Sequence, residues 1–502
     1  MNRIKLFSII IALLFATGIT APQESISDIR AIKEIDSFID TAMQKWDIPG
    51  LAVGIIKDGN VIYSKGFGYK DLKTKEKVTP KTLFSIGSSS KAFTATLAAM
   101  AVEEKKMSFD VPLENYFPDF KMYDSLISGK VTLRDLLTHR TGIPRQKFFS
   151  LNPPADRRDV RRCFRYFEPN LDFRTLWQYC NEAYTVAGDM IAEREGTTSW
   201  EDLIRKRILD PLEMKSTQLS FNDIIDKTDC ATPYIIWDKD PEKMEFHNAY
   251  ILGAAGCIIS NVDDMLKWVE FNLNSGKVHD SSLISPRSLQ QLQSPQVVIP
   301  GQTPRSEISY ANYGMGWMID YYRGYLHIYH GGVLYGFTSK VTFMPKEKIG
   351  IVILANLNGT PFVDVLERYM MDKILKLDPI DWQQKALALY EAQMKQILEE
   401  EKNNKVENAK VPSLLLEQSA GTYVSQGYGS LCVKVENDSL KVKVDNYDCP
   451  LNYMGEDAFE LYHPAEHAGW KTVFIKDMNN RVNALSVEVS PNTKPVVFQK
   501  QM

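Results

Sequence analysis

The sequence has no surplus of basic residues. Its 502 residues include 59 lysines and arginines and 63 aspartates and glutamates, so the formal net charge is −4 at pH 7. The lysines and arginines are spread along the chain and form no stripe that would neutralise a row of phosphates. We therefore expect no nucleic-acid partner.

Cysteine is scarce as well, and none of the 6 cysteines forms a CxxC pair. Zinc binding and thioredoxin-type chemistry have no support, so we predict neither a metal nor a cofactor. His463 and His467 lie around Pro464 without a cysteine partner, which favours a surface loop over a metal site. Cys432 and Cys449 lie close together in a β-prone region, and the pattern is compatible with a disulfide and with two separate buried thiols.

A hydrophobic run long enough to span a bilayer is missing near the N-terminus. Residues 6–15 are apolar, follow Arg3 and Lys5, and give way to small residues, which is typical of a secretory signal peptide. We therefore predict a signal peptide over residues 1–21 and an exported protein, periplasmic or secreted, without a stable membrane span after cleavage. The first cysteine, Cys163, lies too far from this segment for a lipoprotein anchor.

The periodicity of apolar residues predicts a large unit of helices and strands. Residues 88–104 are apolar on nearly every side after the first turn, which predicts a buried helix. A hairpin is predicted for residues 51–56 and 61–69. Three adjacent antiparallel strands are predicted at residues 325–329, 337–344 and 349–354. Further helices are predicted at residues 32–46, 362–377 and 382–402.

Beyond residue 411 the pattern changes to short β-prone segments separated by turn residues. Strands are predicted at residues 421–424, 431–436, 439–444, 458–462, 472–476, 482–489 and 496–499. The chain therefore ends in a small all-β domain, a barrel or a sandwich. The helix before it is charged at its end and is interpreted as a connector.

Three short motifs contain residues suited to nucleophilic catalysis: Ser88-Ser89-Ser90-Lys91, Tyr179-Cys180-Asn181 and His330-Gly331-Gly332. Ser88 opens the predicted buried helix, so Lys91 lies on the same helical face and its amine can reach the serine hydroxyl. Backbone N–H groups at such a helix N-terminus point to where an oxyanion would develop. The alternative, in which Ser88 is a helix cap and Lys91 a solvated charge, is less attractive because a lysine is unfavourable in the first turn of so apolar a helix.

Taken in this order, the motifs resemble those of the serine β-lactamase-like and penicillin-binding family, which includes class C β-lactamases, D-Ala-D-Ala peptidases and esterases. That family shows S-x-x-K, then Y-x-N, then K-T-G or H-x-G. Further segments resemble its patterns "L-L-T-H-x-S-G-L-P", "P-A-G-G-L-x-S" and "Y-G-L-G-W": residues 133–144, 254–260 and 313–317.

The resemblance implies an α/β (α+β) fold, in which an antiparallel sheet is flanked by helices and accompanied by a helical subdomain. We therefore predict a β-lactamase-like serine hydrolase domain over residues 22–380. A helical connector over residues 381–410 and the small all-β domain over residues 411–502 follow.

The resemblance also implies the catalytic roles. Ser88 attacks an acyl carbonyl and forms an acyl-enzyme, Lys91 and Tyr179 share the role of general base, and Tyr179 protonates the leaving group. His139 precedes Arg140-Thr141-Gly142 and is expected to be structural, not the base of a triad.

Substrate binding and orientation are implied for Asn181, His330, Gly332 and Val333. Asn181 orients Lys91 and contacts the substrate. The backbone N–H of Val333, together with that of the nucleophile, forms the oxyanion hole. His330 is expected to hydrogen-bond Tyr179 or the acyl-enzyme.

The third motif departs from that of lactam-recognising relatives. It offers no hydroxyl, and His330 is expected to be mostly neutral at pH 7. Efficient β-lactam hydrolysis is therefore not expected. The expected activity is hydrolysis of amide or ester bonds in a small-molecule or short-peptide substrate, such as D-amino-acid peptides, peptidoglycan fragments or acyl esters.

Two alternatives stay open at the level of the sequence. An acyltransferase would use the same acyl-enzyme and pass the acyl group to a hydroxyl or amine acceptor. A penicillin-binding-like sensor or scaffold would not use the site for turnover at all. The sequence does not specify the oligomeric state.

Overall fold

The computed structural model describes residues 26–501, except residues 152–156, 222–228, 238–239, 247–248, 302–305, 405–412, 445–446 and 465–467. The predicted signal peptide over residues 1–21 and His467 lie outside the described residues. Within the described part, none of the helices combines the length and the apolar character needed to cross a membrane.

An eight-stranded antiparallel sheet forms the centre of the first unit. It joins the predicted hairpin to the predicted group of three strands, because Leu51 pairs with Ala355. The strands, in their order across the sheet, are Asn60–Gly68, Gly50–Lys57, Ile349–Ala355, Phe337–Met344, Tyr325–Leu334, Met318–Tyr322, Asn312–Tyr313 and Val297–Val298.

One face of the sheet packs on the helices nearest to the ends of this unit. Leu51, Val53 and Ile55 alternate along their strand and share a buried core with the helices Ile26–Lys45 and Phe362–Leu375. The period-2 pattern of the strand therefore determines which side chains this helical layer covers.

The opposite face packs on the helix Val262–Leu273. A Cβ atom at Gly54 would lie 2.5 Å from the Val262 side chain, so the absence of a side chain allows the helix to approach the strand closely. Phe93, on the buried helix Ser90–Glu103, stacks on Trp268 with ring centroids 3.8 Å apart. Two helical layers thus lie on this side of the sheet.

The buried helix begins two residues later than predicted. Gly87–Ser89 form a 3-10 turn, and the α-helix extends over Ser90–Glu103. Gly87 has a φ of +48°, a left-handed conformation that disfavours residues with a side chain. The turn is held by the sheet, because Ser339 Oγ donates a hydrogen bond to the Ile86 carbonyl oxygen at 2.7 Å.

The remaining elements of the first unit form its helical subdomain and three short hairpins or bridges. The helical segments are Leu113–Asn115, Ser125–Ser128, Leu133–Leu137, Lys147–Leu151, Arg158–Cys163, Phe164–Tyr166, Asn181–Glu195, Trp200–Ile204, Arg205–Leu209, Ala249–Ala255 and Pro286–Leu292. The short strand pairs are Phe84–Ser85 with Ile259–Ser260, Tyr234–Ile236 with Pro241–Lys243, and Lys277–Val278 with Ser281–Ser282.

The predicted connector is a helix over Trp382–Asn404. Its first turn is fixed to the sheet unit, because Trp382 Nε1 donates to Asp372 Oδ2 at 2.9 Å. The ring of Tyr390 lies 5.9 Å from that of Trp46. A short helix, Ser413–Ser419, then leads into the second unit.

The second unit is a closed eight-stranded barrel, which resolves the choice between barrel and sandwich. One strand, Tyr447–Gly455, was not predicted from the sequence, because it contains Asp448, Pro450 and Asn452, which are residue types uncommon in strands. Pairing with neighbours on both sides imposes the extended conformation there. The strands are Gly421–Ser425, Gly429–Glu436, Ser439–Val444, Tyr447–Gly455, Ala458–His463, Ala468–Lys476, Val482–Val487 and Val496–Lys500.

Cys432 and Cys449 do not form a disulfide. Cys432 is exposed on the outside of the barrel, whereas Cys449 is buried inside it. Side chains on a barrel strand alternate between the interior and the exterior, so these two thiols lie on opposite sides of the wall. Of the two alternatives, separate thiols are therefore correct, but only one of them is buried.

Aromatic side chains join the barrel to the helical subdomain. Phe148 makes an edge-on contact with Trp470, with ring centroids 5.3 Å apart, and Phe149 does the same with Tyr428 at 6.0 Å. One hydrophobic core contains buried side chains from both units. The barrel therefore packs directly against the chain segment that contains Phe148 and Phe149.

Candidate active site

Ser88 lies in the turn that precedes the buried helix, and it is partly exposed. The neighbouring hydroxyl faces the sheet instead: Ser89 Oγ donates to the His330 carbonyl oxygen at 3.1 Å and lies 3.0 Å from Ser339 Oγ. Ser89 thus fastens the turn, and Ser88 keeps an accessible hydroxyl.

Lys91 is fully buried at the centre of the site. Its Nζ atom lies 3.0 Å from Ser88 Oγ, 2.8 Å from Asn181 Oδ1 and 2.8 Å from the Ala255 carbonyl oxygen. The structure thus brings Ser88, Lys91 and Asn181 together. Sequence reasoning assigned no role to Ala255, although it belongs to the segment 254–260 that carries part of the resemblance.

The surroundings of Lys91 favour its neutral form. Burial lowers the pKa of Lys91 well below its usual value, and the positive charge of Arg145 lowers it further. In a neutral amine, two N–H bonds can serve Asn181 and Ala255 while the lone pair faces the Ser88 hydroxyl. The amine is then suited to accept the proton of that hydroxyl.

Tyr179 lies on the other side of Ser88. Its ring centroid is 4.7 Å from Lys91 Nζ, and its hydroxyl lies close enough to Ser88 for that residue to influence its pKa. Burial raises the pKa of Tyr179, against the opposing effects of Ser88 and of the Arg145 charge. Tyr179 is therefore a protonated phenol at neutral pH and is suited to donate a proton.

His139 supports the Tyr179 segment from behind. It is completely buried, its ring centroid lies 4.4 Å from that of Tyr179, and its Nδ1 atom accepts a hydrogen bond from the Cys180 backbone N–H at 3.2 Å. Burial, followed by the charge of Lys91, lowers the pKa of His139 well below its usual value. These contacts indicate a structural role for His139.

His330 makes different contacts from those expected. Its Nε2 atom lies 3.2 Å from the Tyr313 hydroxyl, and its Nδ1 atom lies 2.6 Å from the Gly331 carbonyl oxygen. Both ring nitrogens thus have partners other than Tyr179, and the alternative expectation, a hydrogen bond from His330 to the acyl-enzyme, stays a prediction. Burial, followed by the charge of Lys91, lowers the pKa of His330 to about 3. His330 is a neutral partner of Tyr313, a residue that sequence reasoning quoted only within the 313–317 motif.

The strand Tyr325–Leu334 touches the turn Gly87–Ser89, which carries Ser88, at two glycines. A Cβ atom at Gly332 would lie 2.0 Å from the Ile86 carbonyl oxygen, and one at Gly87 would lie 3.1 Å from the Val333 backbone nitrogen. The backbone of Val333 is thus next to the turn that carries Ser88. This contact brings together the two segments whose N–H groups were predicted to form the oxyanion hole.

We predict that Gly332→Ala lowers kcat/KM by about 10²-fold, because the added methyl group has to push the strand away from the turn that carries Ser88. Gly331→Ala is the matched control: its Cβ atom would meet only the Ser339 carbonyl oxygen, at an ordinary distance of 3.5 Å. Ester hydrolysis is measured for both, together with thermal unfolding to confirm that each variant is folded. Equal activities would show that the close approach at Gly332 has no catalytic consequence.

Two family models match the chain. Residues 35–375 match the model described as Beta-lactamase, and residues 405–500 match a Domain of unknown function (DUF3471). The first match covers the sheet unit with all three motifs, and the second covers the barrel.

Several curated proteins are similar to the chain over much of its length. The unguisins hydrolase ungD' of Aspergillus campestris is 28% identical over 449 residues, which cover 83% of this chain and 81% of that protein. The unguisins hydrolase ungD of Aspergillus violaceofuscus is 30% identical, with 64% of this chain and 60% of that protein covered. Protein flp of Staphylococcus aureus is 28% identical, with 65% and 63% covered.

The fold is also found among solved structures. The octameric penicillin-binding protein homologue from Pyrococcus abyssi superposes with a TM-score of 0.60 over 93% of this chain and 100% of that one, at 23% sequence identity. At this level of identity the likeness concerns the fold alone. It extends over the barrel as well as the sheet unit, because nearly the whole chain is covered.

Proposed function

The chain belongs to the beta-lactamase family of serine hydrolases, and from this premise we propose that it cleaves amide or ester bonds of small substrates through an acyl-enzyme on Ser88. Lys91 acts as the general base, and Tyr179 as the proton donor to the leaving group. Asn181, His330, Gly332 and Val333 bind or orient the substrate and the groups around it.

The observation that carries this proposal is the 3.0 Å contact between Lys91 Nζ and Ser88 Oγ at a fully buried lysine. In the acylation step, Ser88 Oγ bonds to the substrate carbonyl carbon while its proton passes to the neutral Lys91 amine. The carbonyl oxygen becomes an oxyanion, which the backbone N–H groups of Ser88 and Val333 stabilise.

Collapse of this intermediate breaks the bond to the amine or alcohol, which leaves with a proton from Tyr179. The proton held by Lys91 then restores the Tyr179 phenol. Water next attacks the acyl carbonyl and gives one proton to the Lys91 amine. The intermediate then collapses, Ser88 Oγ takes up that proton, and the carboxylic acid is released. Protons and electron pairs balance over the cycle without a cofactor.

The substrates that we propose are D-amino-acid peptides, peptidoglycan fragments or acyl esters. β-Lactams are not favoured, since the third motif offers a buried neutral histidine and two glycines. Two relatives carry the name hydrolase, which supports hydrolysis over acyl transfer to another acceptor.

A labelling and turnover experiment tests this function. The purified mature protein is exposed to a fluorophosphonate, a penicillin, p-nitrophenyl esters and D-amino-acid amides, and its intact mass is followed beside product release. An adduct on Ser88 together with turnover of one substrate class is the expected result. Alcohol and amine acceptors are then added, because trapping of the acyl group by an acceptor in preference to water would identify a transferase. No adduct and no turnover with any reagent would favour a sensor or scaffold.

We predict that Tyr179→Phe lowers kcat for amides by about 10²–10⁴-fold, because an amine cannot leave without a proton. p-Nitrophenyl esters are expected to lose far less, since p-nitrophenolate is a good leaving group without protonation. Tyr321→Phe, at a side chain that is 53% exposed, is the control. Equal losses for amides and for activated esters would contradict the role of Tyr179 as proton donor.

We also propose how the chain is divided and where it acts. The hydrolase domain occupies residues 22–380, the connector residues 381–410 and the barrel residues 411–502, and the two family matches at 35–375 and 405–500 support this division. Residues 1–21 direct export, so that the protein acts in the periplasm or outside the cell.

A further inference from the structure

A loop of the helical subdomain runs beside the Tyr179 segment. The Gln178 backbone N–H donates to the His139 carbonyl oxygen at 2.7 Å, and Gln178 Nε2 donates to the Gly142 carbonyl oxygen at 2.9 Å. These two hydrogen bonds place residues 139–147 next to the residue that precedes Tyr179. The loop therefore lies beside the segment that carries Tyr179.

The barrel holds the same loop from its other side. The side chain of Gln146 is buried, its Nε2 atom donates to the Pro144 carbonyl oxygen at 2.9 Å, and its Oε1 atom accepts a hydrogen bond from Tyr428 of the barrel at 2.7 Å. Phe148, two residues further on, packs on Trp470 of the barrel. The loop residues on both sides of position 145 are thus anchored.

Arg145, between Pro144 and Gln146, is the residue of this anchored segment that points to solvent. Its side chain is exposed, and it makes no hydrogen bond or ion pair with the described residues. Its charge nevertheless acts on both catalytic groups, because it lowers the pKa of Lys91 and opposes the rise in the pKa of Tyr179. The hydrogen bonds between this loop and Gln178, together with this electrostatic effect, place Arg145 near the Tyr179 segment.

The two other basic groups of the site, Lys91 and His330, are not expected to be positively charged at neutral pH. Lys91 is buried with three uncharged acceptors, and His330 is buried and neutral. The guanidinium of an arginine keeps its charge at every physiological pH. It also presents a planar pair of N–H donors, which matches the two oxygens of a carboxylate.

We propose that Arg145 is a binding site for a carboxylate group of the substrate, so that the enzyme prefers small amides and esters that carry a carboxylate. This inference rests on the proposed hydrolase function and names the substrate class within it. It also gives the barrel a role in recognition, since Tyr428 anchors the residue next to Arg145.

Paired substrates that differ only in charge test the proposal. The pairs are meta- and para-acetoxybenzoate with the corresponding acetoxybenzamides, and glutaryl with pentanoyl p-nitroanilide, so that the carboxylate lies on either side of the scissile bond. In the native enzyme, kcat/KM for the charged member of at least one pair is expected to exceed that for the neutral member by about 10-fold or more, the effect of one hydrogen bond to a charged group.

The variant Arg145→Gln is expected to remove this preference, and Arg145→Lys to keep only part of it, because an ammonium lacks the bidentate geometry. The control is Arg162→Gln, at a side chain that is 74% exposed and pairs with Asp159 on its own helix. Its ratio of charged to neutral substrate is expected to equal that of the native enzyme. Rates are compared on the pH plateau of each variant, since loss of the Arg145 charge also changes the pKa of Lys91.

A binding measurement separates this proposal from the proposed function. Calorimetry on Ser88→Ala protein compares glutaryl p-nitroanilide with pentanoyl p-nitroanilide, and then repeats the comparison with Arg145→Gln added. Tighter binding of the charged compound that is lost with Arg145 would support the carboxylate site even without turnover. Equal binding of the two compounds, or turnover without any charge preference, would overturn it and leave the hydrolase function intact.

Discussion

Replacing Ser88 with alanine is expected to lower kcat by about 10⁴- to 10⁶-fold and to abolish labelling by a fluorophosphonate. The acyl-enzyme cannot form without the hydroxyl that lies 3.0 Å from Lys91 Nζ. Intact-mass analysis and ester hydrolysis measure the two effects on the same preparation. The remaining activity would come from binding and from oxyanion stabilisation by backbone groups, which the substitution leaves in place.

The chain offers an adjacent control for this variant. Ser89 is the neighbouring serine, but it is buried and its hydroxyl contacts the His330 carbonyl oxygen and Ser339 Oγ. Ser89→Ala is expected to cost about 1 kcal/mol of stability through these lost hydrogen bonds and to keep the fluorophosphonate adduct. Survival of the native function in Ser88→Ala would support a sensor or scaffold. If the adduct disappeared only in Ser89→Ala, Ser89 and not Ser88 would be the nucleophile.

Replacing Lys91 with methionine is expected to lower kcat/KM by about 10³-fold or more, because it removes the amine whose nitrogen lies 3.0 Å from the Ser88 hydroxyl. Methionine fills a similar volume, so the loss reports the missing base and not a cavity. Lys91→Arg is expected to fail as well, since a guanidinium stays protonated. Lys81→Met, at an exposed side chain, is the control for loss of a lysine charge.

The pH profile of the native enzyme provides the second part of this test. Lys91 has a pKa well below its usual value, so the neutral, basic fraction grows as the pH rises through that lowered pKa. We expect kcat/KM to fall on the acid side of this point and to reach a plateau above it. His330 has a pKa of about 3 and adds no second step near neutrality.

Removing the charge of Arg145 shifts this profile in a known direction. Arg145 lowers the pKa of Lys91, so Arg145→Gln is expected to raise that pKa and to move the acid limb to higher pH. A limb that stays in place in Arg145→Gln would show that another group controls it. Activity in Lys91→Met close to that of the native enzyme would exclude Lys91 as the general base.

The sequence by itself determined the local features of this protein. Ser88 and Lys91 are three residues apart, and in a helical conformation this spacing places a serine hydroxyl and a lysine amine on the same face. The apolar surface of residues 88–104 predicted a helix buried on nearly all sides, and the observed helix Ser90–Glu103 is buried in this way. The apolar run at residues 51–56 and the three later β-prone runs predicted sheet segments that the structure confirms.

Only the tertiary structure decided which distant groups meet at this lysine and at the third motif. Asn181 and Ala255 reach Lys91 across 90 and 164 residues of chain, and no local pattern specifies such contacts. The partner of His330 is Tyr313 because two strands of one sheet, separated by a single strand, bring the Tyr313 hydroxyl within 3.2 Å of the His330 ring.

Contacts between distant segments also explain the strand and the arginine that were not predicted from the sequence. The strand Tyr447–Gly455 contains residues that disfavour strands, and only hydrogen bonding to both neighbours in the closed barrel extends it. Arg145 has the sequence context of an ordinary surface residue, and its place beside the catalytic groups depends on a loop held by Gln178 and by Tyr428 of the barrel. Local propensity acts over a few residues, whereas these positions are set by packing between segments that are far apart in the chain.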